Sequence, residues 1–145
     1  MLIIPNEIMF EEVERQIASG NRVHIRLQGD SMLPMMRGGR DVVELGPVRE
    51  DDIAPGAVVL CRCGGRHILH RIVGIEHGRL TLLGDGNLTP EYLPASDVVA
   101  VLRAIHRPSG RVVTTDSRWW RFRSRAWMAL RPVRRILMAV YRRLN

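Results

Sequence analysis

The chain has 145 residues, of which 46% are hydrophobic and 26% charged, enough apolar side chains for one domain's core and too many for wholesale disorder. All 22 cationic residues are arginine, so chemistry that needs a lysine (a Schiff base, a P-loop lysine, a Ser/Lys dyad) is excluded. Residues 1–102 carry 10 Arg against 14 acids, and residues 103–145 carry 12 Arg against Asp116 alone, so the tail is suited to an anionic surface.

Leu2-Ile3-Ile4, Pro5 and then Glu7, Glu11, Glu12 and Glu14 read as neither a signal peptide nor a membrane anchor. Asn6 and Gly20 bound an expected helix over residues 7–19, with Ile8, Val13 and Ile17 inward. From Arg22 the period changes to two: Val23, Ile25 and Leu27 alternate with His24, Arg26 and Gln28, as in a strand. Further short strands are expected at Asp41–Leu45, Ala57–Cys63, Arg66–Glu76, Arg79–Leu83, Asp97–His106 and Arg111–Thr114, separated by Gly, Pro and Asp clusters. Gly64-Gly65 predicts a two-residue hairpin that pairs 63 with 66, 61 with 68 and 59 with 70. That register sets His70 on the face of Val59, Cys61 and Cys63, and His67 on the other.

From Ser117 the pattern changes again. Trp127, Leu130, Val133, Leu137, Val140 or Tyr141, and Leu144 recur every three or four residues among arginines, which predicts a cationic amphipathic helix kinked or restarted at Pro132. The expected organisation is therefore an N-terminal helix (1–20), a β-rich domain (21–115) and an Arg/Trp-rich tail (116–145). No run approaches the roughly twenty apolar residues of a spanning helix.

Cys61-x-Cys63 with His67 and His70 has a superficial zinc spacing, but the hairpin register turns His67 away, so buried free thiols and no metal are expected. Two such cysteines fit a reducing compartment. Gly29-Asp30-Ser31-Met32-Leu33-Pro34 ends a strand with a serine that could offer its hydroxyl beside backbone amides. Read from its residues alone, the same stretch is an ordinary turn, and most such turns do no chemistry.

Four stretches occur in order over about residues 22–102: Gly29–Pro34, Gly39-Arg40-Asp41-Val42-Val43, His70-Arg71-Ile72-Val73 and Gly84-Asp85-Gly86-Asn87. Together they resemble the boxes of the LexA/signal-peptidase serine peptidase superfamily. The resemblance implies a mainly β fold, a coiled antiparallel sheet in which an extended peptide substrate adds as a further strand. It also implies Ser31 as the nucleophile. Lysine is the base in much of that superfamily, whereas the His-Arg-Ile box is similar to the endoplasmic-reticulum and archaeal signal peptidases, which implies His70 as the base and Asp85 as the orienting or structural acid. Gly29 stands where some members carry a hydroxyl, leaving the Ser31 amide as the nameable oxyanion donor. Arg40 interrupts the usual Gly-Asp pair, and the membrane signal peptidases' anchor is not seen.

Two functions are open on these residues. One is a cofactor-free serine endopeptidase acting on a leader or precursor peptide; it would be cytoplasmic and peripheral at the inner membrane face. Trp119, Trp120, Trp127, Arg134 and Arg135 would be its contacts with anionic lipid, while a further reading has the tail's apolar face dock on the β domain or dimerise. The alternative is an inactive peptidase-like binding module whose basic tail contacts nucleic acid or a partner protein.

Overall fold

The computed structural model describes residues 6–144, with side chains from Phe10 onward. Leu2-Ile3-Ile4 and the Ile8 side chain lie outside the described residues. Helix α1 spans Asn6–Ala18, and the strands are β1 (Val23–Arg26), β2 (Val42–Gly46), β3 (Val58–Cys63), β4 (Arg66–Glu76), β5 (Arg79–Leu83), β6 (Glu91–Pro94), β7 (Val98–His106) and β8 (Val112–Thr114). Two C-terminal helices complete the chain, α2 (Arg118–Ala129) and α3 (Arg134–Leu144), separated by a single 3-10 turn at Arg131–Val133.

The eight strands form one antiparallel sheet in the order β1-β2-β7-β3-β4-β5-β6, with β8 added to β7. The sheet is open, neither closed nor curled on itself, and with three helices the protein is mixed α/β rather than mainly β. The strands lie where the alternating pattern puts them, except for β6, which that pattern does not mark.

The Gly64-Gly65 hairpin has the expected register, Val59 with His70, Cys61 with Ile68 and Cys63 with Arg66. Both glycines take positive φ, 56° and 78°, as a two-residue hairpin of this hand requires. Because side chains alternate, central strand β3 serves two cores. Val58 and Leu60 face one built from Val13, Ile17, Met32, Met36, Leu45 and Trp120, while Val59 and Cys61 face a second with Ile72, Leu80 and Leu82. The first core draws on α1, the sheet and α2 together, so neither helical end is a separate appendage.

Ser117 caps α2 by accepting from the Trp120 amide at 3.1 Å, which satisfies one otherwise unpaired helix N–H. Pro132 divides the expected tail helix, and the turn at Arg131–Val133 re-aims the chain into α3. The docked face is made of Trp120, Ser124, Trp127, Arg134 and Met138; Trp119, Phe122, Leu130, Val133, Ile136, Val140 and Leu144 are exposed. Among the described residues, no helix is long and apolar enough to cross a membrane.

Candidate active site

Ser31 sits in the turn between β1 and β2, half-buried, with Met32, Leu33, Met35 and Met36 buried beside it. These methionines anchor the turn in the first core; they are packing residues. The Leu33-Pro34 peptide bond is cis. Asp41 closes the turn from below. Its fully buried carboxylate accepts from the Arg37 amide (2.8 Å), Arg40 Nε (2.9 Å) and Arg107 Nη1 (2.6 Å). Burial pushes this carboxyl up, but the Arg40 and Arg37 hydrogen bonds and the Arg107 charge together hold it below its ordinary range.

The loop Gly84–Asn87 meets the Ser31 turn directly, with the Gly86 amide donating to the Ser31 carbonyl at 2.9 Å. The β4–β5 register ends at Arg71 opposite Leu83, so the next residues, His70 and Gly84, come side by side. A Cβ at Gly84 would collide with the Ser31 carbonyl and lie 3.1 Å from His70 Cδ2. Only glycine permits the Ser31 turn and the His70 ring to crowd one backbone position in this way. The imidazole therefore has its Cδ2 beside Gly84, the residue that the Ser31 carbonyl also crowds. Its other edge makes a hydrogen bond, Nδ1 to Glu91 Oε2 at 3.1 Å. Among the described residues, no hydrogen bond joins Ser31 Oγ to His70, and the Ser31 amide takes no backbone acceptor.

Asp85 is not the partner of His70. Its carboxylate is fully buried and pairs in bidentate fashion with Arg71, Nε to Oδ1 and Nη2 to Oδ2, both at 2.8 Å. Arg71 also donates to the Gly56 carbonyl at 2.8 Å and lies 5.4 Å from the Trp120 ring centre. The reason is strand alternation: residue 71 points to the face opposite residue 70, so the arginine takes Asp85 and the histidine cannot. The acid beside His70 is Glu91 on β6, a residue that none of the four sequence boxes contains.

The tail reaches the same loop. Trp127 Nε1 donates to the Asp85 carbonyl at 2.8 Å, and Arg134 Nη1 approaches the carbonyls of Gly84 and Asn87 at 3.3 Å each. Arg134 is buried, its guanidinium 5.3 Å from the Trp127 ring centre. Burial lowers its pKa against the opposing pull of Asp85. Trp120, Trp127 and Arg134 are thus contacts of the protein with itself rather than of the protein with lipid, while Trp119 and Arg135 are exposed.

Cys61 and Cys63 are free thiols. Burial, with Asp97 and Cys63 nearby, pushes the Cys61 thiol up to about 12, which makes it unreactive near neutrality. His67 turns away from them, stacked on Phe10 at 4.4 Å and facing Glu14 at 3.4 Å.

No family model matches the chain, and no curated protein matches it significantly.

The Asp41 contacts carry a signed pH dependence. A carboxylate whose folded pKa is depressed stabilises fully above the unfolded value of about 3.9 and loses that contribution as pH falls through its lower folded value. Asp41→Asn is expected to cost about 1.5–3 kcal/mol in urea unfolding at pH 7, and the gap to the parent should close as pH falls below 4. A gap that stays constant into acid would contradict this assignment.

Proposed function

We propose that the protein is a serine endopeptidase, related in kind to the signal peptidases, that cleaves a leader or precursor peptide laid as an extended strand beside Ser31. The observation that carries this reading is the crossing at Gly84, where the Ser31 carbonyl and His70 Cδ2 both crowd one glycine. Three of the four ordered sequence boxes support it as well, since Ser31, His70 and the Gly84–Asn87 loop meet. The likeness to the coiled β domain of that superfamily belongs to the same proposal.

In the mechanism, Glu91 accepts a hydrogen bond from His70 Nδ1–H, whose proton stays on Nδ1 and leaves Nε2 as the basic nitrogen. Ser31 Oγ attacks the scissile carbonyl as Nε2 takes its proton. The Ser31 amide donates to the developing oxyanion, and Glu91 stabilises the imidazolium. Nε2 then gives the proton to the leaving amine, an acyl-serine remains, and water activated by the same imidazole releases the product. Side-chain rotation of Ser31 on substrate binding makes the missing Oγ to Nε2 contact, since catalytic hydrogen bonds commonly tighten only with substrate. Asp85 acts beneath the site, fixing Arg71 and the loop.

The exposed face of α2 and α3 is proposed to seat the enzyme on an anionic membrane surface at the cytoplasmic side. Trp119, Phe122, Ile136 and Val140 supply apolar contact there, and nine arginines with no acid in residues 117–145 supply charge complementarity.

Cleavage is tested with a library of extended peptides read by mass spectrometry. Ser31→Ala and His70→Ala should each lose on the order of a thousandfold in turnover, and the double variant little more. Cleavage kept in Ser31→Ala would defeat the peptidase reading, and an inert parent protein would favour the binding module.

Membrane seating has its own test. Trp119→Glu with Ile136→Glu should abolish co-sedimentation with anionic vesicles and leave the fold intact. Vesicle binding undiminished in that variant, or a preference for nucleic acid over lipid, would refute it.

A further inference from the structure

At the far end of the sheet from β6, His24 on β1, Glu44 on β2 and His106 on β7 come from three neighbouring strands. His24 lies directly opposite Glu44, and His106 lies opposite Val42, two residues along on the same face. Both imidazoles aim Nε2 at one atom, Glu44 Oε1, at 3.0 Å from His24 and 3.2 Å from His106. The rings are tilted by 58° with their centres 5.0 Å apart, so they converge rather than stack. All three atoms lie within 4.8 Å of one another.

As hydrogen-bond donors to Glu44 both Nε2 atoms carry a proton; a shift of each neutral imidazole to its Nδ1–H tautomer frees two nitrogen lone pairs beside that of the carboxylate oxygen. Tetrahedral ligands at zinc bonds of about 2.0–2.1 Å stand roughly 3.3 Å apart, close to the separations already present, so modest side-chain rotation admits an ion. Two imidazoles with a single carboxylate favour a zinc-class ion over magnesium or calcium, which prefer all-oxygen sites. The other carboxylate oxygen, Glu44 Oε2, accepts from Arg22 Nη1 at 2.6 Å. That outer contact fixes the carboxylate's orientation, as partners of metal-ligating groups commonly do. The three side chains are 30%, 15% and 27% exposed in chain order, leaving access and a fourth position for water.

The geometry points to a three-ligand site for zinc, held by His24 Nε2, Glu44 Oε1 and His106 Nε2. Its role is to clamp β1, a four-residue edge strand, across β2 to β7. β1 leads into the Ser31 turn, and β7 leads into Arg107, which bonds Asp41 and the Met35 carbonyl (3.1 Å). The ion would hold both ends of that turn's support. This inference stands apart from the peptidase reading, since binding is measured without any cleavage.

The test is calorimetric titration of chelator-treated, full-length protein with zinc chloride, together with His24→Gln, His106→Gln and Glu44→Gln. The parent should bind one equivalent and unfold at a higher temperature with zinc present. Each histidine variant should bind about a hundredfold more weakly or worse and lose the thermal shift, and Glu44→Gln about tenfold more weakly. These glutamines keep hydrogen-bonding capacity at half-exposed positions, and circular dichroism confirms the fold. Cobalt in place of zinc should give a four-coordinate visible spectrum without a thiolate charge-transfer band. No binding by the parent, binding unchanged in the two histidine variants, or a thiolate band placing the ion at Cys61 and Cys63 would each overturn the assignment.

Discussion

The bidentate pair of Arg71 and Asp85, withdrawn from water on both sides, is the contact around which the candidate site is arranged. Burying two charges costs several kcal/mol each, and the cost is offset only where geometry is good and the remaining donors are satisfied. Here Arg71 spends its other arm on the Gly56 carbonyl and its face on Trp120. The Asp85 carbonyl is meanwhile held by Trp127. With Asp85 fixed from both directions, Gly84 and Gly86 on either side have little freedom, and it is these two that meet Ser31 and His70. The Arg71–Asp85 pair thus holds in place the loop whose two glycines pack against Ser31 and His70.

The tail is bound into the same arrangement. Its inner face contributes Trp120 to the core and Trp127 and Arg134 to the loop, so the cationic segment has two tasks on two faces. One face steadies the Gly84–Asn87 loop and the other meets solvent with an apolar, arginine-flanked surface. Whatever the outer face meets is therefore one helix thickness from the loop beneath Ser31 and His70.

Much of this was legible in the sequence. The alternation from Val23 to Leu27 and the Gly64-Gly65 turn marked strands and a register, and that register already set His70 against Val59. The same register pairs Val58 with Arg71, so the separation of Arg71 from His70 could have been read there, though not the side on which Asp85 falls. Glu91 could not. It lies on β6 between Pro90 and Pro94, and prolines argue against a strand except at a sheet edge, which is where β6 proves to be. The tail's period of three to four marked helices but not their orientation, because both faces carry aromatic and aliphatic residues. Only docking distinguishes buried Trp120 from exposed Trp119. His24 and His106 are far apart in sequence, and only strand order β1-β2-β7 brings them to one carboxylate.

In the proposed enzyme the two acids of the candidate site have separate tasks, Asp85 holding the loop and Glu91 serving the imidazole. The most direct measurement compares Asp85→Asn with Glu91→Gln in parallel urea unfolding and peptide turnover. Asp85→Asn is expected to lose about 3–5 kcal/mol of stability, as removal of one member of a buried pair does. Glu91→Gln, partly exposed, should stay within about 1 kcal/mol of the parent while turnover drops by on the order of a hundredfold. The reverse pattern, with Glu91→Gln fully active and Asp85→Asn stable but inert, would contradict that division of tasks.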